Sequence, residues 1–130
     1  MLKKAAMAVG AVFLVIGIGG FLPFLVFDQK LLGLFLVDGT HNFVHILSGL
    51  VFLAASQKEN WARLSFQVFG VVYALVTVVG FMVGDGGSVL GLFDVNMVDN
   101  ILHLALAAAF LYLGFGTPAR GDATPAAPAV

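Results

Sequence analysis

Histidines 41, 45 and 103 are the three imidazoles of this sequence, and they stand close to Asn42, Asn100 and Asp99. His41 and His45 are four residues apart, as are Asp99 and His103; on a helix that spacing puts each pair on one face. Brought together, the two pairs can converge on one divalent metal ion, so His41, His45, Asp99 and His103 are its candidate ligands. Alternatively, His45 and His103 alone can be the axial ligands of a haem or hold a chlorophyll-like pigment. A further chemistry is a proton or ion pathway, since histidine titrates near neutral pH and an acidic vestibule would lie above these residues. Beside these stands a purely structural reading. Asp38 and Asn96 are N-caps, Thr40 supplements the first, and Asp99 sits at a capping-box position. Asn42, Asn100 and the histidines then hydrogen-bond between helices, which accounts for both pairs without a ligand.

The elements that must carry these residues are apolar. Residues 5 to 27 contain no charge, and 23 residues at about 1.5 Å each exceed a hydrocarbon layer of roughly 30 Å. That run is longer than the h-region of a secretory signal, and no small-x-small cleavage site follows it, so it reads as a retained first span. Asp28, Gln29 and Lys30 lead into a short apolar piece, Leu31 to Val37, expected to be interfacial or re-entrant. Asp38 then opens a second span reaching about Gln57. The polar stretch Ser56 to Arg63 turns the chain, with Trp61 as an interfacial anchor. A third span, Leu64 to Val83, ends in the glycine-rich loop from Gly84 to Ser88. Val89 to Val95 is a second short apolar piece, and Asn96 opens a fourth span running to about Gly116. Residues 117–130 carry three of the four prolines and many alanines, as expected of a disordered Pro/Ala-rich cytoplasmic tail.

The chain repeats itself. A shift of 58 lays residues 33–46 on residues 91–104 with six of 14 positions identical, among them Asn42 on Asn100 and His45 on His103. A shift of 60 lays Gly10, Val12, Gly20 and Phe21 on Gly70, Val72, Gly80 and Phe81. The repeating unit is therefore a helical hairpin with its short external piece, about residues 5–57 and again 64–116. Each unit holds an even number of spans, so the copies keep one orientation and should be related by a pseudo-twofold axis along the membrane normal. Small residues at 10, 17 and 20, and at 70, 74, 77 and 84, provide faces along which membrane helices approach closely. The expected fold is all-α: a transmembrane four-helix bundle of two tandem hairpins within residues 1–116.

Composition excludes much else. Hydrophobic residues make up 61% and charged ones 10%, against about 45–50% and 25% in soluble domains, and the mean hydropathy is +1.07. A net charge of -1 with no basic stripe excludes nucleic acid as a partner. With no cysteine there is no disulfide, thiolate or iron–sulfur chemistry. Neither a phosphate-cradling loop, nor a Gly-x-Ser-x-Gly elbow, nor a His-Glu-x-x-His metalloprotease motif is present, so no enzyme is expected. Lys3, Lys4, Lys58, Arg63 and Arg120 fall on one side of the spans and Lys30 on the other, which places both termini in the cytoplasm by the positive-inside rule.

At the doubled motif the sequence resembles the domain-of-unknown-function 4383 family of small four-span prokaryotic membrane proteins. The likeness covers about residues 5–116. It rests on Gly33-Leu34-Phe35 with His41-Asn42-x-x-His45 and Gly49, and on Gly91-Leu92-Phe93 with Asn96-x-x-Asp99-Asn100-x-x-His103. The first copy has Asp38 where the family pattern leads one to expect Asn, and the second has no glycine matching Gly49. The resemblance implies fold and membrane location and no activity. The sequence thus points to a non-enzymatic protein of the inner membrane, with the lipid bilayer and other membrane subunits as partners. The alternative is a protein that uses the Asn/His motifs to bind haem, pigment or metal.

Overall fold

A computed structural model describes residues 1–118. The apolar runs form four helices: α1 (Leu2–Gly19), α2 (Gly39–Ala55), α3 (Glu59–Val83) and α4 (Met97–Leu111), the last continuing into a π-helical turn over Tyr112–Gly116. Three of these segments, Leu2–Gly19, Glu59–Val83 and Met97–Gly116, are long and apolar enough to cross a membrane. The fourth, α2, has 17 residues and rises about 26 Å.

Between the helices the short apolar pieces are β-structure, where sequence suggested interfacial segments. The first forms an antiparallel meander, β1 (Val26–Phe27), β2 (Lys30–Leu31) and β3 (Phe35–Leu36); the second is a hairpin, β4 (Gly87–Val89) and β5 (Phe93–Val95). The fold is mostly helical, consistent with the all-α expectation, and carries two small sheets beside its helices. Pairing Leu31 with Phe35 and Val89 with Phe93 leaves Leu32-Gly33-Leu34 and Leu90-Gly91-Leu92 as the connecting loops. The Leu and Gly of both loops take positive φ, 53° and 72° in the first and 53° and 69° in the second. A hairpin lets these segments satisfy their own backbone groups, which an isolated extended strand near lipid cannot do.

Several boundaries differ from the sequence reading. The first helix stops at Gly19 instead of reaching Phe27, because Gly20 lies against the Asn42 side chain and Pro23 follows within the next turn. The second helix stops at Ala55. The third begins at Glu59, inside the stretch read as loop, and so shortens the α2–α3 connection to residues 56–58. Of the tail expected from residue 117, only Thr117 and Pro118 belong to the described residues; the rest lies outside them.

The principal packing is α1 on α2 and α3 on α4, with lighter contacts of α3 with α1 and α2. Gly10 and Gly49 meet where α1 crosses α2, and a β-carbon on either would lie 2.9 Å from the other's carbonyl oxygen. Small residues thus bring the two backbones together, as the glycine faces required. The shared core is aromatic: Phe13, Phe52, Phe66, Tyr73 and Phe110 are all buried. Their rings meet edge-on or tilted, with Phe52 at 5.4 Å from Phe110 and Phe13 at 6.0 Å from Tyr73. The outer surface is apolar in turn, with Val15, Phe24, Leu47, Leu75 and Met82 all exposed, a surface suited to contact with a bilayer.

Candidate functional site

The candidate histidines, asparagines and acidic caps lie at the end of the bundle that carries the two sheets. Asp38 caps α2, its Oδ1 accepting the His41 backbone N–H at 2.8 Å. Asn96 and Asp99 form a complete capping box on α4. Asn96 Oδ1 accepts from the Asp99 N–H and Asp99 Oδ2 from the Asn96 N–H, each at 2.9 Å.

The caps also reach across the molecule. Asp38 Oδ2 accepts the Asp94 N–H in β5 at 2.8 Å. From the opposite side, Asp99 Oδ2 accepts the Leu36 N–H in β3 at 3.0 Å, and Asn96 Nδ2 donates to the Leu34 carbonyl at 2.8 Å. The cap of α2 therefore holds β5, and the cap of α4 holds β3 and the loop before it. Asp85 adds a bond within the second half, accepting the Met97 N–H at 2.8 Å. Position matters more than residue type here: Leu36 and Asp94, the strand residues held, occupy equivalent places at the shift of 58.

Below the caps lie the imidazoles. His41, His45 and His103 are buried, and one ring nitrogen from each lies within 4.8 Å of the others. His41 stacks on His45 with ring centres 4.8 Å apart, and tilts toward His103 at 5.9 Å. The sequence left open whether helices two and four bring their histidines together, and they do. Asp99 lines the same cavity as the three rings, but its carboxylate is committed to the backbone of Asn96 and Leu36. It stands apart from the group of three.

Each ring has a defined wall. His45 meets Phe13 edge-on at 5.4 Å, and His103 meets Tyr73 edge-on, also at 5.4 Å. His41 Nδ1 lies 3.0 Å from the Leu36 carbonyl. A carbonyl oxygen only accepts, so Nδ1 carries a proton and donates it to Leu36. By contrast, the Nδ1 atoms of His45 and His103 are buried without a hydrogen-bond partner among the described residues. Leaving such a group unsatisfied costs about 1–3 kcal/mol.

The two asparagines play another part. Asn42 and Asn100 are fully enclosed, and each presses its amide against a glycine of the preceding helix, Asn42 on Gly20 and Asn100 on Gly80. They fix how closely each hairpin closes and do not line the cavities beside the imidazoles.

Two cavities flank the histidines. One of about 260 Å³ opens between α2 and α3 beneath β4 and β5; the other, about 320 Å³, lies between α1 and α4 beneath β2 and β3. Their walls are overwhelmingly apolar, and both have His41, His45 and His103 at the inner end. Toward the other end of the bundle the aromatic core closes the space under the rings.

A polar contact at that opposite end escaped the sequence reading. Arg63 donates to the carbonyls of Gly114, Thr117 and Pro118 at 3.2, 2.8 and 2.8 Å, and Gln67 Nε2 donates to Gly114 at 3.0 Å. Together they satisfy carbonyls that the end of a helix leaves without intrahelical partners. A basic residue at the start of the third span, 51 residues from Gly114, gives no local sign of this partner.

Comparison with curated proteins returned no match, and none was found among solved structures. The sequence profile described as "Domain of unknown function (DUF4383)" matches residues 3–116. That stretch takes in all four helices, both sheets and all three imidazoles, and the chain belongs to this family.

Proposed function

We propose that this chain is a multi-pass protein of the cytoplasmic membrane, built of two tandem hairpins in one orientation, without catalytic activity. It serves as a structural or accessory subunit of a membrane assembly. The observation that carries this reading is the reciprocal lacing of the caps: Asp38 holds β5, and Asp99 with Asn96 holds β3. A carboxylate spent on two backbone N–H groups is poorly placed for acid–base work and well placed to make one end of a bundle rigid.

Matching pairs support the duplication. Gly20 meets Asn42 as Gly80 meets Asn100, and Gly10 meets Leu53 as Gly70 meets Leu111. The positive-inside rule puts the Lys58 turn in the cytoplasm and the sheets outside. This arrangement requires α2 to cross, and about 26 Å of helix with polar flanks is enough for a thin or locally adjusted bilayer. The aromatic floor beneath the histidines speaks against an ion path. So small a bundle leaves most of its apolar side chains facing outward, where lipid or neighbouring subunits cover them.

Single cysteines test the topology cleanly, since the chain has none of its own. Lys30→Cys and Asp85→Cys are expected to react with a membrane-impermeant maleimide in intact cells, and Lys58→Cys only after permeabilisation. Equal labelling of all three from outside would remove the four-span arrangement. The accessory role predicts that the tagged chain, expressed at its native level and solubilised gently, migrates in a discrete complex larger than itself; a solitary monomer would refute it.

A further inference from the structure

The geometry points to a binding site for one divalent first-row transition-metal ion, held by His41, His45 and His103 at the outer end of the bundle. This goes beyond the accessory role and does not depend on it, because the three imidazoles converge whether or not the chain has neighbours.

Three independent features lead to an ion. First, three imidazoles from two helices offer one nitrogen each within 4.8 Å. A bound ion would draw these donors closer, since metal–imidazole bonds are about 2.0–2.1 Å. Second, His41 is already oriented as an outer partner orients a ligating histidine: Nδ1 is tied to a backbone carbonyl, which leaves Nε2 to coordinate. Third, the buried Nδ1 atoms of His45 and His103 have no hydrogen-bond partner among the described residues, so polar atoms here remain to be satisfied.

The donor set selects the class of ion. Imidazole without thiolate suits zinc, cobalt, nickel or copper, and three nitrogens leave a fourth position toward the apolar cavities. Asp38 and Asp99 cap the two helices that carry the imidazoles, and their carboxylates would offset part of the positive charge that an ion brings into the bundle. A single ion fits better than a macrocycle. For a haem or pigment bridging His45 and His103, the third imidazole offers a ring nitrogen within 4.8 Å of theirs, inside the space the macrocycle would need.

Cobalt(II) is the direct probe. The full chain, purified in mild detergent and stripped with a chelator, is expected to take up one equivalent and to show the intense visible bands of a four-coordinate site. Zinc(II) should displace cobalt one for one. His45→Ala and His103→Ala should each weaken binding by at least the roughly 100-fold that marks the upper end for losing an outer partner. Helical circular dichroism and gel filtration report whether these variants fold. Should they not, X-ray absorption on the unmutated cobalt protein decides, with three imidazole scatterers expected. Absence of saturable uptake, uptake undiminished in folded His45→Ala and His103→Ala proteins, or cobalt without imidazole scattering would each overturn the site. A Soret band in the protein as isolated would replace the ion with a haem.

Discussion

His41 and Asp99 occupy the same position of their respective helices and grip one residue from its two sides. His41 Nδ1 donates to the Leu36 carbonyl and Asp99 Oδ2 accepts the Leu36 N–H, both at 3.0 Å. At the shift of 58 these residues align, yet one is an imidazole and the other a carboxylate, and both reach the same strand residue. An imidazole in one and a carboxylate in the other satisfy both polar groups of a single peptide residue. Two carboxylates would compete for its N–H and leave the carbonyl without a donor.

This division of labour predicts unequal costs at the two acidic caps. Asp99→Ala removes a capping box and leaves the Leu36 N–H without its acceptor. It should lower stability by about 2–3 kcal/mol, the sum of a cap and a partly buried donor. Asp38→Ala loses a cap too, but its second bond, to Asp94, is exposed to water, so about 1 kcal/mol is expected. Unfolding by sodium dodecyl sulfate in mixed micelles gives both values, and equal costs would contradict the cross-strand role of Asp99.

The glycines that face asparagine amides should tolerate nothing larger. A methyl group at Gly20 or Gly80 would overlap the buried side chain of Asn42 or Asn100. Gly20→Ala and Gly80→Ala are each expected to cost about 1–3 kcal/mol through overpacking. Gly39, in the first turn of α2, has nothing near its missing β-carbon. Gly39→Ala should be neutral or stabilising by up to about 1 kcal/mol, because the unfolded chain loses freedom there. Thermal unfolding of the three variants side by side separates packing glycines from an incidental one.

What the sequence revealed and what it hid divide along physical lines. Asp38 and Asn96 were readable as caps because capping is local, a matter of three or four residues. The alignment of His45 with His103 was readable because duplication leaves a spacing behind. The end of α1 was marked only by Gly19-Gly20 and Pro23 within an otherwise unbroken apolar run; the contact of Asn42 with Gly20 that accompanies it is made only in the folded hairpin. The strands were not readable, since their residues read only as short interfacial or re-entrant pieces; their pairing depends on a turn at Leu32-Gly33 that takes positive φ. The grip of Arg63 on the last carbonyls was hidden for the same reason as the grip of Asp99 on Leu36: both partners are far apart in the chain.

Arg63 is expected to resist conservative replacement. Its two terminal nitrogens reach three carbonyls, at Gly114, Thr117 and Pro118, and that planar fork spans positions that the single nitrogen of an ammonium meets from one point. Arg63→Lys should therefore recover little of what Arg63→Ala loses. Amide exchange in detergent is expected to accelerate about 10-fold or more in residues 112–117 for both variants, corresponding to roughly 1.4 kcal/mol of local opening, with α1 and α2 unaffected. Full protection in the lysine variant would mean that charge alone secures that end.

A final expectation tests the duplication inside the core. Phe13 and Tyr73 are counterparts at the shift of 60, and each meets its own histidine edge-on at 5.4 Å. If the halves are equivalent in packing, the ring at 73 matters and its hydroxyl does not. Tyr73→Phe should then cost less than about 1 kcal/mol, since the ring volume is kept. Tyr73→Ala should cost about 3–5 kcal/mol, because the cavity it leaves lies between His103, Phe13 and Phe110 with little slack to collapse. Denaturation of the two variants reads the difference directly. A Phe substitution as damaging as Ala would mean that the second half uses Tyr73 for a polar task with no parallel in the first.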